Sequence, residues 1–124
     1  MAKLTFVSGS PHMVNYKPYG AAVAAVECVL AHGMACIAHR DIADGELGAV
    51  AWPSGTALYK IAEGNTFTGG EDTLTDSGKL YVENGGNLSD VATSNTAVGT
   101  TLAASTDAAD AVGVHVVHNG ANLS

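Results

Sequence analysis

Short apolar runs alternate with glycine-bearing polar turns along the whole chain. No stretch holds apolar residues at the three-and-four spacing of an amphipathic helix. This pattern predicts an all-β fold of about ten short strands, a small single-domain β-barrel or β-sandwich with little or no helix. The first strand is expected over Leu4 to Val7, closed by Ser8-Gly9-Ser10-Pro11, and the second over Met13 to Tyr16, ended before Pro18. Residues 20–25 read as a loop or one helical turn. Val26 to Ala31 and Met34 to His39 read as a hairpin about His32-Gly33.

The register of that hairpin depends on the loop length. A three-residue loop, 31–33, pairs Leu30 with Met34, Cys28 with Cys36 and Val26 with Ala38. All six apolar side chains then share one face. A two-residue loop sets His39 opposite Val26 instead. The first register is the expected one. Asp41 to Gly45 reads as a turn, and Glu46 to Ala51 with Thr56 to Ile61 as a second hairpin about Pro53-Ser54-Gly55. Residues 64–78, rich in Gly, Thr and Asp, read as a long exposed loop. Further strands are expected over Leu80 to Val82, Thr96 to Ala103 and Ala111 to Val117, with a turn at Asn84-Gly85-Gly86-Asn87. In the last strand Val112, Val114 and Val116 alternate with Gly113 and His115, a half-buried pattern. The end of the chain, from His118, is polar, and 119–124 is expected to fray. No linker or internal repeat divides the 124 residues, so one domain is expected over 1–124, with 1–10 as a possible N-terminal arm.

Composition narrows the function. Twelve acidic residues face five basic ones, a net charge of −7, and Arg40 is the only arginine. A nucleic-acid binder needs clustered Lys and Arg to displace counterions from phosphate, so neither nucleic acid nor an anionic membrane is an expected partner. The N-terminus shows no apolar core of signal-peptide length. The longest apolar run, 21–26, is too short to span a bilayer. A soluble protein made in a cytoplasm is expected. The Asn-Leu-Ser sequences at Asn87 and Asn122 then match the glycosylation pattern by chance.

Candidate chemistry is sparse. Cys28 and Cys36 lack the two-residue spacing of zinc and redox motifs and read as buried reduced thiols. His12, His32, His39, His115 and His118 form no His-x-x-x-His pair, and no metal site is expected from them. Glu71, Asp72 and Asp76 could offer oxygens to calcium, but their spacing does not fit an EF-hand, and a solvated acidic loop is preferred. There is no phosphate loop, since Gly78-Lys79 is followed by Leu80, and no nucleophile elbow. No cofactor is expected. Two alternatives stay open: a small hydrolase or metal-dependent enzyme using His12, His39 and Asp41, and a carbohydrate-binding β-sandwich using Trp52 and Tyr59.

The stretch Asp41-Ile42-Ala43-Asp44-Gly45-Glu46-Leu47-Gly48-Ala49-Val50-Ala51, followed by Thr56 to Lys60, resembles the small phage capsid-cement, or head decoration, proteins. The resemblance extends in order along most of the chain. It begins with the Met-Ala-Lys start and the extended Tyr16-x-Pro18 segment, and includes the Ala- and Val-rich hairpin 26–38. It continues with Gly78-Lys79-Leu80-Tyr81-Val82, the element from Val98 and Gly99 to Ala103, and the Val-x-Val strand near the end. The motif residues are Tyr16, Pro18, Asp41, Ile42, Gly45, Glu46, Gly48, Lys60, Tyr81 and Gly99. Two departures are Lys79, where the family usually has Asp, and a longer loop over 64–77. The resemblance implies an all-β fold without cofactor, a non-enzymatic role on the outer surface of the virion capsid, and the major capsid protein as partner. It also implies a homotrimer. Some relatives have carried a RecA-like recombinase label, but ATP-driven strand exchange needs a phosphate loop and a DNA-binding surface, and this chain shows neither. Lys3, Leu4, Thr5, Phe6 and Val7 are the candidate contact with the capsid or a neighbouring subunit, through strand addition at a sheet edge.

Overall fold

The computed structural model describes residues 2–31, 33–63, 65, 79–83, 87–89, 95–102 and 111–120. It is an all-β sandwich of two antiparallel sheets. The strands are β1 (Leu4–Gly9), β2 (His12–Tyr16), β3 (Cys28–Ala31), β4 (Met34–Ala38), β5 (Gly48–Trp52), β6 (Ala57–Ile61), β7 (Lys79–Val82), β8 (Leu88–Ser89), β9 (Thr96–Thr101) and β10 (His115–Val117). Six strands form one sheet in the order β1-β6-β10-β9-β7-β8, and four form the other in the order β2-β5-β4-β3. Two-residue periodicity fills the space between them. Leu4, Ile37, Tyr59, Ile61, Leu80, Val82, Val98 and Val116 are among the buried residues of this inter-sheet core.

The β3–β4 hairpin takes the register that the sequence reading set aside. Cys28 pairs with Ile37, Val29 with Cys36, Leu30 with Ala35 and Ala31 with Met34, which is the two-residue loop. Gly33 has the positive φ, 77°, that such a turn favours. Gathering the apolar residues on one face could not select the register, because both faces of this sheet are buried. Ala35 and Ile37 face the inter-sheet core, while Cys36 and Ala38 face a second apolar cluster on the other side.

The expected hairpin between β5 and β6 is absent. β5 pairs with β2 and β4, whereas β6 pairs with β1 and β10. The segment 53–56 carries the chain from one sheet to the other. A Pro-Ser-Gly break signals a change of direction, and it serves a corner between sheets as well as a hairpin.

Val26 makes another corner. It has a φ of 69°, the left-handed region that a β-branched residue rarely enters. There its N–H bonds the Ala38 carbonyl at 2.8 Å in the four-stranded sheet, and its carbonyl accepts the Leu4 N–H at 2.9 Å in the six-stranded one. The strained residue joins the sheets, which is why β3 begins at Cys28 rather than at Val26.

At the other end, a turn over 111–114, with the Val114 N–H on the Ala111 carbonyl at 3.0 Å, delays β10 to His115. Val112 is consequently exposed, while Val114 and Val116 are buried. His118 is no part of a frayed end, being 1% exposed. Apart from Asn65, the expected loop at 64–78 lies outside the described residues, as does most of the turn at 84–87.

Candidate functional site

Seven of the motif residues meet in one place, a strap across the outer face of the four-stranded sheet. Ile42 is fully buried there among Val23, Val29, Ala31, Cys36, Ala38 and Val50. It exchanges two backbone bonds with Val23, at 2.8 and 2.9 Å, so 17–25 and 41–46 run as one layer. The Gly45 N–H bonds the carbonyl of buried Pro18 at 2.8 Å. The Asp41 carboxylate accepts the Ala25 N–H at 2.8 Å, and the Glu46 carboxylate accepts the Ala43 N–H at 3.1 Å with Arg40 beside it at 3.4 Å. Outside the motif, Asp44 accepts the Gly20 N–H at 2.8 Å and Glu27 the Ala24 N–H at 2.8 Å.

Gly48, paired with Tyr16 across β2 and β5, explains the last position of the motif. A Cβ on it would lie 2.8 Å from the Ile42 side chain. Gly99 answers a similar need in the other sheet, where a Cβ would run into the Val117 backbone carbonyl. The carboxylates of the motif thus hold irregular backbone, each accepting an amide that no strand ladder pairs.

Lys60 and Tyr81 lie on the outer face of the six-stranded sheet. Lys60 stands exposed between Thr5 and His115, and Tyr81, half-buried, opposite Ser89 and Ala97.

The five candidate contact residues divide. β1 is an edge strand of the six-stranded sheet, paired with β6 from Leu4 to Gly9 around a bulge at Val7. Leu4 is fully buried in the inter-sheet core, so it faces its own domain rather than a neighbour. Lys3 is clamped by Asn65, whose side chain accepts the Lys3 N–H at 2.7 Å and donates to its carbonyl at 2.8 Å. The Lys3 backbone also forms an isolated antiparallel β-bridge with that of Glu27, and the Cys28 N–H bonds the Ala2 carbonyl at 2.8 Å. Phe6 and Val7 are each 40% exposed, and Thr5 faces outward opposite Lys60. No local pattern marks Asn65, because its partner is 62 residues away.

The residues of the two alternative readings are not brought together for chemistry. His39 bonds the Tyr59 hydroxyl through Nε2 at 2.5 Å, Asp41 holds the Ala25 amide, and His12 sits on β2 opposite Trp52. Tyr59 is fully buried, so it cannot serve as a platform for a sugar. Trp52 packs half-buried on the second apolar cluster. Cys28 and Cys36, expected to face each other, point to opposite sides of their sheet. Burial pushes their thiols up to about 12 and about 11, where neither is a nucleophile at neutral pH. Among the described residues no three His, Cys, Asp or Glu side chains gather as a metal site; Glu71, Asp72 and Asp76 lie outside them.

Among the described residues, one dense cluster of titratable rings has no signal in the sequence. Tyr59 of β6 is flanked by His39 and His118, with ring centroids 5.6 and 5.3 Å away, and Phe6 of β1 stacks on both His39 and Tyr59. The His118 Nε2 lies 2.7 Å from the Ala35 carbonyl of β4, a bond from one sheet to the other. Burial raises the Tyr59 phenol and lowers both imidazoles, His118 to about 4, so all three groups are neutral at pH 7.

No curated protein and no solved structure matches the chain. The family model described as phage cement protein matches residues 8–116, a span that contains the whole strap and eight of the ten strands, β2 to β9, in full. The chain belongs to the phage cement protein family.

Proposed function

We propose that this protein binds the outer surface of an assembled phage capsid, contacts the major capsid protein, and stabilises the shell as a homotrimer without catalysing a reaction. The observation that carries the reading is the family match over residues 8–116. The geometry supports it, since every motif side chain with a described partner holds the fold itself together. A ligand that binds only the assembled shell stabilises it by mass action, and many copies on one shell make modest affinity per copy effective. A symmetric trimer suits the three-fold points of such a shell.

The β1 edge is the proposed contact. From Phe6 onward it has a strand neighbour on one side only, and its apolar side chains are open. Phe6→Ser with Val7→Ser tests this without touching the buried Leu4. The variant should fold and should bind expanded empty capsids at least tenfold more weakly. Wild-type affinity of this variant would move the contact elsewhere. If the wild-type protein neither binds such capsids nor raises their resistance to heat, the cement reading itself fails.

A further inference from the structure

His118 has no part in the strap or the β1 edge, yet it is a buried titratable group, 1% exposed, whose side chain bonds from one sheet to the other. Its Nε2 donates to the Ala35 carbonyl at 2.7 Å, so the proton of the neutral ring is on Nε2. Nδ1 is then a bare lone pair, buried, and without a partner among the described residues. A second proton can go only to Nδ1. There it would create a charge and a donor inside the inter-sheet core with nothing among the described residues to accept it, a costly arrangement.

The surroundings offer no relief. The titratable groups that face His118 are the Tyr59 phenol of β6, kept protonated by burial, and the His39 ring beyond the end of β4, whose own charge would repel it. The remaining titratable group of the same core is the Cys28 thiol of β3, also kept neutral. β1 contributes Phe6, which stacks on His39 and Tyr59 and carries no charge. No carboxylate is among the buried polar residues described.

We infer that His118, with Tyr59 and His39, is a proton-sensitive latch between the two sheets, and that acid releases the latch and with it the grip on a capsid. The second half rests on the proposed cement function; the first does not. β1 is joined to this cluster through Phe6, so loosening the rings loosens the edge proposed to meet the shell.

The sign follows from linkage. The folded-state pKa of His118, about 4, lies below the unfolded value of 6.5, so the unfolded chain takes up the proton first. Stability is complete above about pH 6.5 and is lost as pH falls toward 4. Over that window this one group raises the unfolding equilibrium constant by about tenfold per pH unit, about 300-fold in all.

The test compares wild type with His118→Gln, which keeps an N–H donor but cannot titrate. Urea unfolding of both proteins from pH 7.5 to 4 should show the wild type losing stability with acid more steeply than the variant, by the part that depends on His118. Equal pH dependence in the two proteins overturns the latch. Should the variant fail to fold, a carbon NMR titration of the assigned His118 ring in the wild type decides, because protonation near pH 6.5 in the folded state also overturns it. Capsids loaded with either protein at pH 7.5 and moved to pH 4.5 should shed the wild type at least tenfold faster than the variant. Equal shedding of the two refutes the release step. If neither protein binds capsids at pH 7.5, the cement reading falls, and the unfolding and NMR results still judge the latch.

Discussion

Between the sheets, Leu4, Ile37, Tyr59, Ile61, Leu80 and Val116 meet side chain to side chain, whereas on the far side of the four-stranded sheet Val29, Cys36, Ala38 and Val50 are covered by one irregular strap around Val23 and Ile42. The first core is closed by regular strands whose backbone groups satisfy one another. The second is closed by a segment without that ladder, so Asp41, Asp44, Glu46 and Glu27 must hold its amides one at a time. This difference fits the placement of seven of the ten residues on which the sequence resemblance rests, which lie in or beside the strap. A strand tolerates many apolar residues, while a carboxylate under a particular amide, or a glycine beneath Ile42, tolerates few replacements.

The comparison implies that the inter-sheet core unfolds with the whole domain and that the strap opens as a separate, weaker unit. The largest effect should follow deletion of residues 2–7. Ala2 and Leu4 are buried, and the backbone of residues 2–4 ties the two sheets together through Val26, Cys28 and Asn65. The truncated protein should lose its cooperative thermal transition in calorimetry. A folded, truncated domain would mean that the strand ladders alone hold the sandwich.

Next in size are two isoleucines, one from each core. Ile37→Ala and Ile42→Ala should each cost about 2–5 kcal/mol if both cores form part of one cooperative unit. The strap model sharpens this. Ile37→Ala should shift the global urea midpoint by the full amount. Ile42→Ala should shift it less and instead speed hydrogen exchange at the amides of Gly20, Ala24, Ala25 and Ala43. Equal shifts in the midpoint would erase the distinction between the two cores.

Gly48→Ala should cost about 1–3 kcal/mol, because its methyl group must displace Ile42. Combining it with Ile42→Val should recover part of the loss, which a double-mutant cycle in urea would measure. Asp41→Ala removes one exposed side-chain hydrogen bond and should cost about 1 kcal/mol or less, with its effect confined to exchange at Ala25. The smallest expected effect is none. Reducing agent should leave the melting temperature unchanged, since Cys28 and Cys36 lie on opposite faces of the sheet, and a thiol reagent should label them only as fast as the protein opens.

The number and approximate places of the strands, and the lack of helix, were legible in the sequence because glycine turns and two-residue alternation are local properties. The expected strands Leu4–Val7 and Leu80–Val82 lie within the observed β1 and β7, and Met34–His39 runs one residue past the end of β4. The motif at 41–48 was legible as a pattern but not as a strap, since its partners Pro18, Gly20, Val23 and Ala25 come from another stretch of chain. Only the tertiary structure decided the β3–β4 register, because a sheet buried on both faces leaves apolar pairing unable to choose. It alone sent β5 and β6 to different sheets, fixed Asn65 against Lys3, and buried the polar-looking His118 against a carbonyl 83 residues away. A sequence records how each residue treats water and its immediate neighbours. The partner of a buried polar atom is set by where distant segments meet when the core closes, and that information belongs to the packed molecule.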